Sequence, residues 1–145
     1  MRITDALAGE HGLFYALFGA LEARSDEADS LPALLAAVAP VGAALITHAQ
    51  LEDELLFPAL RAVFGAEGPL AVMRTEHVEI EALLGRIERA THLDDASSLL
   101  SQLLDVARAH FETEEGVLFP AANGHLEPTT LHELGRMWAE RRGLR

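Results

Sequence analysis

The sequence contains no cysteine. Disulfides, thiolate metal sites, cysteine-ligated iron–sulfur clusters and thiol catalysis are therefore excluded, and any metal must be held mainly by nitrogen and oxygen. Cations are scarce too: 11 Lys and Arg face 23 Asp and Glu, a formal charge of −12. Nucleic acid and anionic membrane surfaces need a cationic footprint on their partner, so neither is expected to bind. The excess charge reads as a solvated acidic surface. No apolar run approaches the roughly 20 residues that a membrane span needs. The opening Met-Arg-Ile-Thr-Asp-Ala lacks the hydrophobic stretch of a secretory signal, and a cytoplasmic location is expected. Gly-x-Ser-x-Gly, Gly-x-Gly-x-x-Gly and Gly-x-x-x-x-Gly-Lys are all missing. Without a nucleophile elbow, dinucleotide fingerprint or phosphate loop, any chemistry the chain performs would have to be a metal's.

What is present points to helix. A chain of 145 residues suits one domain, 1–145, with a proper core. Half of the residues are hydrophobic, and Ala and Leu outweigh the β-branched types, which favours helix over sheet. Helical periodicity predicts five stretches, the first over about 4–24 with Thr4 as N-cap. The second, about 31–63, follows Ser30; the third, about 69–91, follows a turn from Gly65 to Pro69. The fourth covers about 95–120 and the short fifth about 129–142, closed by Gly143. Pro40 and Pro58 should bend or break the second helix, and Pro120 should end the fourth. Short connections place long neighbours antiparallel, so the expected fold is all-α: an up-down four-helix bundle with a short additional C-terminal helix. The basic end, Arg136, Arg141, Arg142 and Arg145, suits the C-terminal pole of that last helix and should meet acidic neighbours.

A repeat divides the chain. His48-x-x-x-Glu52-Asp53, then Leu55-Leu56-Phe57-Pro58-Ala59, aligns with His110-x-x-x-Glu114-Glu115, then Val117-Leu118-Phe119-Pro120-Ala121. Upstream of each lies a Glu-His pair, Glu10-His11 and Glu76-His77. Positions three or four apart share a helix face. On the second helix the apolar stripe runs Leu34, Val38, Val41, Leu45, His48, Glu52, Leu55, Ala59; on the fourth it runs Leu99, Leu103, Ala107, His110, Glu114, Val117, Ala121. His11 shares a stripe with Leu7, Phe14, Phe18 and Leu21, and His77 shares one with Leu70, Met73, Ile80, Leu84 and Ile87. Four histidines and two glutamates thus point inward.

Two carboxylates in an apolar interior are costly unless paired or coordinated, and no arginine lies on these stripes. Metal cations meet the need, and a His/carboxylate set suits iron, manganese or zinc. Six ligands exceed what one tetrahedral zinc requires and match two metals, each glutamate bridging and two histidines on each ion. His92, His125 and His132 fall in turns or off the stripes and read as solvated, while Asp53, Glu54 and Glu115 should face outward or sideways. Phe14, Phe18, Phe57, Phe119 and Tyr15 read mostly as core.

The order Glu-His, His-x-x-x-Glu with Leu-Phe-Pro, then the same again, resembles the hemerythrin-like (HHE cation-binding) domains over about residues 5–122. The resemblance implies a bundle around a non-haem di-iron centre that binds oxygen, a related diatomic or peroxide. His11 and His48 would bind one iron, His77 and His110 the other, and Glu52 and Glu114 would bridge. Zinc or manganese could take the same places. Two departures stand out. Oxygen-carrying members have a third histidine where this chain has Met73, for which Glu81 is a possible substitute. They also use an aspartate at the position of Glu115, although the repeat favours Glu114. An open coordination position would favour an enzyme acting on peroxide, nitric oxide or oxygen over simple carriage.

Overall fold

A computed structural model of the chain describes residues 1–65 and 67–144, so part of the turn expected from Gly65 to Pro69 and the last residue, Arg145, lie outside the described residues. The protein is an all-helical bundle, and no strand occurs among the described residues. Helix α1 covers Ile3–Glu27. The second rod, α2, starts as Leu31–Leu51, passes through a π-helical turn at Glu52–Leu56 and continues as Phe57–Phe64. Helix α3 is Pro69–Glu88. The fourth rod, α4, repeats the second: Leu93–Thr113, a π-helical turn at Glu114–Leu118, then Phe119–His125. Helix α5 is Pro128–Arg141.

The ends are set by local chemistry. Ser30 accepts a hydrogen bond from the Ala33 N–H at 3.4 Å, with Pro32 in the first turn of α2. Gly143, at φ 70°, closes α5: its N–H reaches the Glu140 carbonyl, and the Leu144 N–H reaches that of Ala139. Thr4 is not the N-cap of α1. That place falls to Arg2, whose N–H donates to Asp5 at 3.2 Å, whereas Thr4 is buried and donates from its hydroxyl to Asn123.

The prolines act differently from expectation. Helix α2 runs through Pro40, which sits on the exposed side, where the carbonyl left without a partner can meet water. Before Pro58 and Pro120 the helix widens instead of breaking: the Phe57 N–H bonds the Glu52 carbonyl and the Phe119 N–H bonds that of Glu114, five residues back in each case. This carries α4 on to His125 and adds one residue to each inward stripe. Leu55 is buried as expected, and the buried positions downstream also include Leu56, Phe57 and Leu60, and Leu118, Phe119 and Ala122. Ala59 and Ala121 are only half-buried and Val117 is exposed, so those three assignments are corrected by one residue. On α3, Leu83 takes the buried place expected for Leu84.

Two apolar clusters fill the interior. One gathers Phe14, Phe18, Leu34, Leu45, Leu100 and Phe111 with their neighbours; the other gathers Ile3, Leu7, Phe57, Leu60, Leu70 and Met73 with theirs. By length and composition α2 could cross a membrane, its best 18-residue window having mean hydropathy 1.7. The expectation of no such run is therefore corrected. Pro40 and His48 interrupt its apolar residues, but no Asp, Glu, Lys or Arg falls within 31–51. In the bundle this helix directs Leu34, Val38, Val41, Leu45, His48 and Glu52 inward.

Candidate metal centre

Six buried polar side chains interrupt this apolar interior: His11, His48, Glu52, His77, His110 and Glu114, none more than 4% exposed. They form two overlapping groups, His11, His48, Glu52 and Glu114, and Glu52, His77, His110 and Glu114. Within each group the potential ligand atoms all lie within 4.8 Å of one another. The Nε2 atoms of His11 and His48 are 3.1 Å apart, and those of His77 and His110 are 3.0 Å apart. The carboxylates divide their oxygens between these pairs. Glu52 places Oε1 3.2 Å from His48 and Oε2 3.3 Å from His77. Glu114 places Oε1 3.2 Å from His110 and Oε2 3.3 Å from His11.

Despite these distances, all four carboxylate oxygens lack a hydrogen bond. Two buried anionic groups without hydrogen bonds carry a desolvation cost that native interiors do not tolerate uncompensated. A cation between them satisfies all six side chains together, so this nitrogen and oxygen set suits a metal site.

A second layer surrounds the first. Each histidine directs its Nδ1–H to a carboxylate: His48 to Glu10 at 2.6 Å, His110 to Glu76 at 2.7 Å, His11 to Glu115 at 2.9 Å and His77 to Asp53 at 3.2 Å. Such a bond fixes the tautomer, leaves the Nε2 lone pair for a metal and raises the basicity of the ring. The pattern is cross-braced. The acid preceding each first histidine serves the second histidine of the same half, and the acid following each inward glutamate serves the first histidine of the other half. Asp53 and Glu115 therefore lie sideways to the cluster, partly exposed yet each in contact with a histidine. Their signal was already in the repeat, where an acidic residue follows each inward glutamate. Glu54 does point away, to Arg141 at 2.7 Å.

The electrostatics follow. Burial pulls the pKa of His48 down, but Glu52 and Glu10 outweigh it and push it up to about 10. Burial likewise lowers that of His77, and Asp53 and Glu52 raise it to about 9. For His110 burial is outweighed by Glu114, and the pKa is raised. Burial would raise the pKa of Glu52, but His48 and His77 hold it well below the usual carboxylate range.

Aromatic rings wall the centre. Phe111 stacks on His11 with centroids 3.9 Å apart, and Phe119 and Phe57 stack on His11 and His77. Tyr15 is half-buried and points its hydroxyl to Glu115 at 3.4 Å; burial, then Glu115, pushes its pKa up to about 12. Met73 is buried in the apolar cluster, while Glu81 is exposed on α3 and outside both groups, so it is no substitute ligand. His92, His125 and His132 are exposed.

An all-helical bundle with a buried His/Glu cluster defines a class of cation-binding helical domains. The chain belongs to the hemerythrin family: residues 2–122 match the hemerythrin HHE cation binding domain. Among curated proteins it is similar to a DNA nickase of Nostoc sp., 27% identical over 127 residues, which is 87% of this chain and 35% of that protein. It is also similar to the iron-sulfur cluster repair protein YtfE of Escherichia coli and of Enterobacter sp., 31% identical over 91 residues. That match covers 54% of this chain and 41% of each relative. The chain thus spans well under half the length of these relatives. No solved structure matches it.

Proposed function

We propose that this chain is a cytoplasmic, non-haem di-iron protein that binds oxygen or a related small ligand, for carriage, sensing or scavenging. In this reading its long helices form an up-down four-helix bundle to which α5 is added. His11 and His48 hold one metal, His77 and His110 the other, and Glu52 and Glu114 bridge the two. The observation that carries the reading is the division of each carboxylate between the two histidine pairs, with no hydrogen bond to any of the four oxygens. Iron is preferred to zinc or manganese because the family resemblance is to di-iron domains and because YtfE is named for iron-sulfur cluster repair. When bound, the metals supply redox and Lewis-acid chemistry. The chain's own residues orient the histidine rings, hold protons on Nδ1 and exclude water behind Phe57, Phe111 and Phe119.

A second reading has an observation of its own. Met73 stands one turn before His77, and a thioether is a poor ligand for a hard site, which leaves the second metal with fewer protein ligands. That favours an enzyme acting on peroxide, nitric oxide or oxygen. Metal analysis after loading under reducing conditions is expected to give about two irons per chain, as the ligand count implies; a ratio near zero ends both readings. Stopped-flow mixing then separates them. Multiple turnovers of peroxide or nitric oxide that Met73→His suppresses identify an enzyme, and reversible spectral changes without turnover identify a binding protein.

A further inference from the structure

Arg142 and Trp138 lie beyond the family match, which ends at residue 122, yet both reach its site. The Trp138 indole N–H donates to Glu10 Oε1 at 3.2 Å, and the Arg142 Nε–H donates to the same oxygen at 2.6 Å. That leaves Oε2 for His48 Nδ1 at 2.6 Å. Arg142 also donates through Nη1 to the Thr47 hydroxyl at 3.1 Å, one residue before His48. The guanidinium thus ties α1 to α2 on either side of the ring. Glu10, engaged at both oxygens, cannot rotate without losing three hydrogen bonds, and His48 is held with it.

Helix α5, which carries Trp138 and is capped by Arg142, is itself seated tightly. Leu131, Gly135 and Trp138 form its buried face. Gly135 lies against the first residues of the chain: a Cβ there would collide with the Met1 carbonyl oxygen and stand 3.1 Å from the Arg2 carbonyl carbon. Nothing comparable braces the other three acids. Asp53 meets Arg74 only at 3.8 Å, and Glu115 meets Tyr15 at 3.4 Å. Glu76 has His110 as its one polar partner among the described residues.

We propose that α5 is a clamp on one half of the metal centre: Arg142 and Trp138 are positioning residues that fix Glu10 and through it His48. Metal affinity at the His11/His48 subsite therefore depends on the C-terminal helix, and that at the His77/His110 subsite does not. The inference rests on the two-metal reading. Removing an outer partner of a metal-bound histidine lowers affinity about 10- to 100-fold, and Arg142 stands one layer further out.

The test is a stepwise cobalt(II) titration of the full chain, followed by visible absorption and metal analysis. Arg142→Gln is expected to weaken one binding step by about 10-fold, the lower end of that range, and to leave the other unchanged. Gly135→Ala, which unseats α5, should reproduce that one-step loss. Arg136→Gln, which removes only a surface pair with Glu140, should change neither step. In zinc-loaded protein the Nδ1–H signal of His48 should move in Arg142→Gln while that of His110 stays. Unchanged steps in Arg142→Gln, or equal weakening of both, overturn the clamp. Wild-type protein that takes up no cobalt sinks the two-metal reading itself, a separate failure.

Discussion

In the first half of the chain Glu10 reaches His48, and in the second Glu76 reaches His110 at nearly the same distance. Phe119 covers His11 as Phe57 covers His77. Around this shared frame the neighbours diverge. Ala49, after His48, has Phe111 as its counterpart after His110, and Phe111 lies on the His11 ring. Leu7 answers to Met73, and Tyr15 answers to Glu81. Only the first half carries the brace from α5. The buried histidines and glutamates recur in both halves, whereas the surrounding apolar and outer positions differ. Two groups of one design therefore have unequal surroundings.

The comparison breaks most completely where the halves share a residue. Glu52 and Glu114 each belong to both groups, so Glu52→Gln or Glu114→Gln is expected to abolish uptake of both metals, measured as metal per chain. Loss of only one metal would mean that the carboxylates do not bridge. Next in size is Phe111→Ala. This ring is 1% exposed and touches Phe14, Phe18, His11 and His48. Its removal should cost about 3–5 kcal/mol in denaturant unfolding of the metal-free protein. A loss below about 1 kcal/mol, the size of a well-tolerated core swap, would show that the core on this side collapses freely.

The outer acids sharpen the contrast further. Glu10→Gln and Glu76→Gln should each lower metal affinity by about 10- to 100-fold, read by competition with a chelator. The Glu10 variant should suffer more, because Gln presents an amide nitrogen that cannot accept from both His48 and the Arg142–Trp138 pair. Identical losses would argue that the brace on Glu10 adds nothing.

The mildest test is pH, since in the metal-free protein His48 and His77 hold their protons above neutrality. Folded pKa values of about 10 for His48 and about 9 for His77 lie above the ordinary 6.5. Their contribution is complete below about 6.5 and is lost as pH rises through 9 and then 10. Glu52, held low in the fold, adds stability above its ordinary 4.5 that is lost as pH falls below it. Thermal midpoints in chelator should therefore decline on the alkaline side in two stages, His77 first. A midpoint that rises between pH 7 and 10 would contradict this assignment of charge.

The sequence made the inward residues legible because both signals involved, helical periodicity and the internal repeat, are local. His11, Phe14 and Phe18 could be placed on one face from spacing alone. Contacts between helices carry no such signal. The pairings of Glu10 with His48 and Asp53 with His77 join residues 38 and 24 positions apart, and only three-dimensional packing selects them. Periodicity also assumes an unbroken α-helical turn. The widened turns before Pro58 and Pro120 violate that assumption, which is why periodicity points to Ala59, Val117 and Ala121, each one residue early. The role of α5 was hidden for a further reason: Arg142 and Trp138 look like ordinary surface and core residues until Glu10 is seen between them.

Those widened turns also act as phase shifters. In a regular helix each residue turns the chain by about 100°, and the five-residue bonds from Phe57 to Glu52 and from Phe119 to Glu114 take up one residue more. Each extra residue shifts the helix phase and returns the apolar seam to the interior at Leu56 or Leu118. Deleting one residue from either turn would rewind the rod. Everything after the glutamate would then face the wrong way, while the composition of the chain stayed almost the same.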